Sequence, residues 1–316
     1  MSRTVRLILI ALAALLLCAL APFIGPHFAD DETMRRVLYT LRLPRAGAAA
    51  AAGATLALCG MVFQSLFRND LASPYTLGVS GGASFGAALA ILLGLPSLFG
   101  IPGVPLAAFC GALVSVAIVW RLSLVSHRSG AQTMLLAGVA VGFFFSGLTV
   151  LVQYLADYSH SYRILHWLMG SLDSAGSGEL LKLAPFVPVA CLAALFHREL
   201  DLMSLGEETS AARGLDPKKM SLILFALTSL AVAGVVSVAG PIGFVGLMAP
   251  HIARMLVGPS HRLLGPATFF TGGALLVLCD TCARILIAPA EIPVGVITAL
   301  LGGPFFLWLL LRRAQH

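Results

Sequence analysis

Charge is what this sequence has least of. Only 11% of its 316 residues are Asp, Glu, Lys or Arg, against roughly a quarter in soluble globular domains. Hydrophobic residues make up 59%, and mean hydropathy is +0.95. A water-soluble fold is thereby excluded. The basic surplus of +6 is scattered over short loops, where membrane topology accounts for it, and forms no nucleic-acid surface. Cysteine is sparse: Cys18, Cys59, Cys110, Cys191, Cys279 and Cys282 each sit in or beside an apolar run and show no disulfide or zinc spacing. Cys279 and Cys282 form a CxxC on a helical face, but no second ligand pair accompanies it. The glycine-rich "GVSGGASFG" at Gly78 to Gly86 lacks the Lys-Ser/Thr ending of a phosphate loop. Mid-membrane acidic pairs of the kind ion-coupled transporters use are absent. So are the clustered carboxylates or histidines of an intramembrane enzyme. Asp280 has Arg284 one turn on, which predicts a local ion pair. Asp30, Asp31 and Glu32 lie beside Arg35 and Arg36, as on a solvated face.

What remains is a succession of apolar runs near the ~20 residues that cross a bilayer as helix. They cover Val5 to Ile24, Ala46 to Leu66, Leu77 to Leu95, Val104 to Ser123, Thr133 to Ala156, Leu180 to Phe196, Met220 to Ala239, part of Phe244 to Val257, Leu264 to Ala283, and Val294 to Leu311. The runs are continuous, without the alternation of barrel strands. The expected fold is all-α, one polytopic bundle of about ten transmembrane helices filling 1–316. Arg3 and Arg6 before Leu7 to Leu20 resemble a secretory signal. The apolar stretch is longer than a signal core, however, and Pro22 follows the would-be cleavage site, so a retained first helix is expected.

Between two of these runs lies "DLMSLGEETSAARGLDPKK", Asp201 to Lys219, too polar for any bilayer. Alternating sides from a cytoplasmic N-terminus leaves Arg35, Arg36, Arg42, Arg45, Arg163, Lys182 and Arg284 outside. The other thirteen of the 20 Lys and Arg residues fall inside. That asymmetry puts both termini and the polar island in the cytoplasm. "AGPIGFVGLMAPH" (Ala239 to His251) and "RNDLASPYTLGVSGG" (Arg68 to Gly82) carry Pro and Gly at membrane depth. Broken helices are tolerated there only when buried in protein or lining a cavity, and two such breaks in corresponding halves suggest a central pathway. The many Gly and Ala residues read as close helix packing, and Gln64 and Gln153 as interhelical hydrogen bonders. His251 and His261 read as ordinary histidines near the cytoplasmic side. Tyr158, His160, Tyr162 and His166 read as an outer aromatic belt, with contact to an iron-bearing substrate as the alternative.

Several stretches together resemble one family. These are "LRLPR" (Leu41 to Arg45), "FRNDLASPYTLGVSGGA" (Phe67 to Ala83), "LLAGVA" (Leu135 to Ala140), "HWLMGSL" (His166 to Leu172), "LGEE" (Leu205 to Glu208), "GPIGFVGLMAPHIAR" (Gly240 to Arg254) and "EIPVGVITALLGGPFFLWLL" (Glu291 to Leu310). In this order, over nearly the whole chain, they resemble the FecCD family of ABC transporter permeases, the membrane subunits of importers for iron-siderophores, haem and vitamin B12. The resemblance implies a non-enzymatic, multi-pass permease of the bacterial plasma membrane without a cofactor. It would pair with a second copy or a paralogue, two cytoplasmic ATPase subunits and an extracytoplasmic substrate-binding protein. It implies ATPase coupling through Leu205, Gly206, Glu207, Glu208 and Gly214, with Arg213 where an apolar residue is common. It implies binding-protein docking through Arg42, Arg45 and Arg284, the alternative for Arg284 being its internal pair with Asp280. It implies gates near Gly81, Ala131 and Gln132. At Gly81 the vitamin B12 permease has an amide side chain, and at Ala131 and Gln132 small hydroxyl residues. These departures favour a ferric chelate over cobalamin.

The topology has a direct check. A cysteine at Ser204, in a background free of native cysteines, should resist an impermeant thiol reagent on intact cells and react once the membrane is opened. Labelling of intact cells would invert the orientation.

Overall fold

A computed structural model describes residues 2–25, 31–98, 100–125, 131–173 and 177–313. Asp30 lies outside them, and so do the side chains of Ala131, Gln132 and Glu207. The chain opens with α1 (Arg3–Leu20), capped by the Ser2 hydroxyl and ended by a 3₁₀ turn, Ala21–Phe23. Next come α2 (Asp31–Val37), a π-helical turn at Leu38–Arg42 and α3 (Leu43–Leu66). Glu32, Arg35 and Arg36 of α2 are exposed. A 3₁₀ turn, Pro74–Leu77, leads to α4 (Val79–Leu93), followed by α5 (Gly103–Val125) and α6 (Ala131–Leu155). α7 (Tyr158–Leu168) is short and N-capped by Asp157. The apolar run Leu180 to Phe196 is not one helix but two, α8 (Ser177–Leu183) and α9 (Phe186–Leu195), interrupted at Ala184 and Pro185.

The polar island folds into α10 (His197–Ser204) and α11 (Glu207–Ala212). It ends at Asp216, whose carboxylate accepts the Lys218 and Lys219 amides while Pro217 occupies the first turn of α12 (Pro217–Ala239). Asp at the cap and Pro just inside it are a standard helix start. The remaining helices are α13 (Val245–Val257), α14 (His261–Ile285) and α15 (Val294–Arg313). Among the described residues seven segments are long and apolar enough to cross a membrane, and three shorter apolar helices, α4, α13 and most of α15, complete ten.

In lipid no hydrophobic force draws one apolar helix to another, so close packing of small residues must do that work. α3 is the centre: most of its residues from Ala46 to Leu66 are buried. It lies against α14 and α13 with glycine facing backbone. A Cβ at Gly53 would overlap the Gly272 carbonyl, and one at Gly60 would overlap the Gly246 carbonyl. α4 and α5 meet in the same way through Gly82 and Gly111.

Gly60→Ala should therefore force the α3–α13 contact apart and cost about 1–3 kcal/mol, as overpacking does. Gly265→Ala, whose Cβ would find nothing nearer than 3.9 Å, should be neutral or gain slightly from helix propensity. Thermal unfolding of the two variants in detergent separates them, and equal midpoints would contradict this packing.

Candidate functional site

Three segments far apart in sequence are braided together within the bundle. Between α12 and α13, residues 240–244 leave the helix, with Gly240 at φ 68° and Phe244 at φ 66°. Beside them runs the turn after α7, with Gly170 at φ 67°, and the first turn of α15. The Ser171 amide donates to the Ala239 carbonyl at 2.9 Å, and the Gly295 amide to the Gly170 carbonyl at 3.1 Å. These bonds satisfy backbone groups that the breaks release, which a lipid-facing loop could not do. A Cβ on Gly170 would collide with the Pro241 carbonyl, so glycine there serves both the positive φ and the close approach. The "HWLMGSL", "GPIGF" and "EIPVG" stretches are thus one place in space. The other break, at Gly78 (φ 75°), packs on α6 and α5, where the Ser115 hydroxyl donates to the Gly78 carbonyl.

At one end of the bundle, where α1 and α14 close and α3 starts, five segments pool their charges. Arg45 donates from Nε to Asp280 at 2.9 Å and from Nη1 to Glu291 at 2.6 Å, with Asp173 3.7 Å from Nη2. Arg284 lies 3.3 Å from the other Asp280 oxygen and donates to the Ile24 and Ala21 carbonyls. Arg42 reaches the Pro22 carbonyl. Asp280 is 2% exposed, and the three arginines 7–8%. Arg42, Arg45 and Arg284 therefore do not stand free on an outer rim in this chain. Counting loops fixes the end of the bundle, not the direction of the side chain, and here burial pulls each arginine inward. The internal pair of Arg284 with Asp280 forms, joined by Arg45. His166 lies 3.5 Å from Asp173 and so borders the same cluster, while Tyr158 and Tyr162 are exposed. On the same face the His160 amide and ring bond to Asp157, and these bonds hold its carboxyl below the usual carboxylate range.

The other end carries the polar island. Gly206, at φ 114°, is the buried joint between α10 and α11. The Ser210 hydroxyl donates to the Leu202 and Gly206 carbonyls and ties the two helices into a hairpin. Leu200 and Met203 anchor it in the core, whereas Leu205, Glu208, Arg213 and Gly214 face outward, Leu205 at 58% exposure.

Two polar chains here were missed from sequence. The Asp201 carboxylate accepts the His261 amide at 3.0 Å and contacts its ring at 2.6 Å, and the ring's far nitrogen meets the Ser65 hydroxyl at 2.5 Å. Arg254 bonds Asp70 at 2.8 Å and Gln64 at 3.2 Å. The partners lie 60 to 196 residues apart, and no local period announces them. Arg6 also reaches the Leu256 carbonyl, so the α1 start lies at this end. Gly81 is half-buried against Gly142 on α6, and Ala131 and Gln132 open α6. The structure does not bring Gly81 together with the arginine cluster or the polar hairpin.

A helix bundle of this length, with braided breaks at depth and a polar hairpin projecting from one end, has the architecture of a transport permease. The description of the FecCD transport family matches residues 4–312, and the chain belongs to that family, as an ABC importer permease. It is 37% identical to the hemin transport system permease protein HmuU of Yersinia pestis over 289 residues, covering 90% of this chain and 86% of that protein. It is 41% identical to the cobalamin import system permease protein BtuC of Halobacterium salinarum, covering 91% and 76%. Among solved structures it is similar to one described as an inward-facing conformation of a metal-chelate type ABC transporter. That match has a TM-score of 0.88 and 32% identity, covering 97% of this chain and 98% of the other.

The buried cluster predicts an asymmetric pair of variants. Arg45→Met leaves Asp280 buried with one cation fewer and should cost about 3–5 kcal/mol, the usual penalty for stranding a buried charge. Adding Asp280→Asn should recover much of that. Unfolding midpoints of the single and double variants decide it, and an additive loss would dismiss the cluster as a coupled unit.

Proposed function

We propose that this chain, as a single permease unit over 1–316, moves a ferric chelate, an iron-siderophore or haem, from outside a bacterial cell into its cytoplasm. Two cytoplasmic ATPase subunits would drive it and an extracytoplasmic binding protein would feed it. The observation that carries the reading is the hairpin of α10 and α11, a polar, rigidly anchored projection with no role inside a bilayer. Within Asp201 to Lys219, Leu205, Gly206, Glu207, Glu208 and Gly214 couple it to the ATPase. An exposed leucine beside exposed charge suits a protein partner, and Gly206 sets the angle at which α11 is presented. The same reading puts both termini and this hairpin in the cytoplasm, in keeping with the charge asymmetry.

Pairing with a second copy or a paralogue is supported by α6. Its outward stripe of Leu136, Ala140, Phe143, Gly147, Val150 and Tyr154 runs at helical spacing, with Phe143 76% and Tyr154 84% exposed. Small residues alternate there with large ones, as helix pairs in lipid require. The translocation path would run along that seam, with Gly81, Ala131 and Gln132 near its narrowings. The end of the bundle that carries Arg42, Arg45 and Arg284 would serve binding-protein docking, where Glu291 and Asp173, both held by Arg45, keep 40% and 33% of their side chains exposed. Cobalamin is the second reading, favoured by the name of the Halobacterium relative. The departures at Gly81, Ala131 and Gln132 favour the chelate.

The substrate is tested by isolating the binding protein that associates with this permease and recording its absorption spectrum. A haem or ferric charge-transfer band is expected, and corrin bands would give the cobalamin reading. Coupling is tested by replacing Glu207 and Glu208 together with Ala. ATPase association should weaken, or hydrolysis should proceed without uptake. Normal transport with normal ATPase stimulation would remove the hairpin from the mechanism.

A further inference from the structure

Beside the polar hairpin, between α9, α14 and α3, lies a cavity of about 320 Å³. Its walls are apolar, Leu58, Ala194, Leu195 and Phe269 among them, and its polar lining comes from His197, His261 and Arg262. Arg262 is exposed and makes no ion pair among the described residues. The neighbouring Asp201 is engaged by the His261 amide and ring. Arg262 therefore stands at the mouth of an apolar slot without an ion-pair partner among the described residues.

We propose that this cavity binds an anionic phospholipid, one acyl chain in the slot and the phosphate at Arg262 and His197. The wall on the α9 side belongs to Gly178–Leu195, at 18 residues the shortest of the seven long apolar segments and only 17% buried within the chain. Even as one unbroken helix such a segment would rise only about 27 Å, less than the roughly 30 Å of hydrocarbon, and it is interrupted at Ala184 and Pro185. Its end at Leu195 runs straight into the polar start of α10 at His197, which belongs at headgroup depth, and a short span is accommodated by local thinning of the bilayer around it. A methylene group is no larger than a water, which takes about 30 Å³, so roughly ten fit the volume. A basic side chain at the edge of an apolar interhelical pocket selects acidic headgroups, at about 1 kcal/mol per charge. The site lies against the His261–Asp201 contact, which makes the lipid a neighbour of the hairpin.

The test uses the full-length permease in detergent, with thermal unfolding followed against added dioleoyl phosphatidylglycerol, dioleoyl phosphatidylcholine or inorganic phosphate. Phosphatidylglycerol should raise the midpoint at lower concentration than phosphatidylcholine, and phosphate alone should do nothing. Arg262→Gln, a change on an exposed side chain, should raise the phosphatidylglycerol concentration required about five-fold and leave the phosphatidylcholine response unchanged. Gly265→Leu, placed where a Cβ meets nothing nearer than 3.9 Å, should fill the slot and abolish both responses. Equal response to the two lipids in the wild type overturns the proposal, and so does a headgroup preference that survives Arg262→Gln. A shift reproduced by phosphate would mean a free-anion site instead. A change of oligomeric state in Arg262→Gln, without a change in lipid response, would mean that another copy of the chain covers the groove.

Discussion

Every backbone amide and carbonyl at membrane depth must find its partner inside the protein, and this constraint shapes the rest of the structure. A helix satisfies it alone. A broken helix does so only by borrowing, and the break at 240–244 borrows from two other segments through the bonds at Ser171 and Gly295. Gly170, Gly240 and Gly295 are what allow three backbones to come that near. The interruptions are thus not loose places. They are fastened to one another, and each would be untenable without the others.

Charge follows a related rule. The buried ionised groups Arg42, Arg45, Asp280 and Arg284 collect at one end, where they are paired or bonded to carbonyls. Arg45 and Arg284 enclose Asp280 at one end. Arg254 holds Asp70 and Gln64, and His261 spans Asp201 and Ser65, at the other. Such pairs add little net energy over apolar packing, but a lone member would be costly. They fix which helices are neighbours at each end, a specificity that greasy surfaces alone do not provide.

The helices, the two breaks and the polar island were legible in the sequence, because each is a contiguous run of one character: apolar, Pro- and Gly-rich, or charged. α8 and α9 read as one helix since hydropathy does not register the interruption that Pro185 marks. The cap of α12 was written locally as Asp216 and Pro217. The i,i+4 pair of Asp280 with Arg284 was legible for the same reason. Arg45 was not, for its three carboxylates come from three other places in the chain. Loop charge reports which side of a membrane a residue occupies, and nothing in it reports that an arginine will turn inward. The Asp201–His261–Ser65 chain was hidden similarly, its members looking like a loop acid, an interfacial histidine and a helix serine.

Both charge clusters share one helix. α14 begins at His261, in contact with the polar hairpin through Asp201, and carries Asp280 and Arg284 near its close. From one to the other it runs about 35 Å, and glycine contacts along α3 keep it against the core. Its softest point is Pro266, near the hairpin, where one internal bond is missing. The hairpin contact at His261 and the arginine cluster at Asp280 and Arg284 are thus two ends of a single helix, and a displacement of that helix along its axis displaces both.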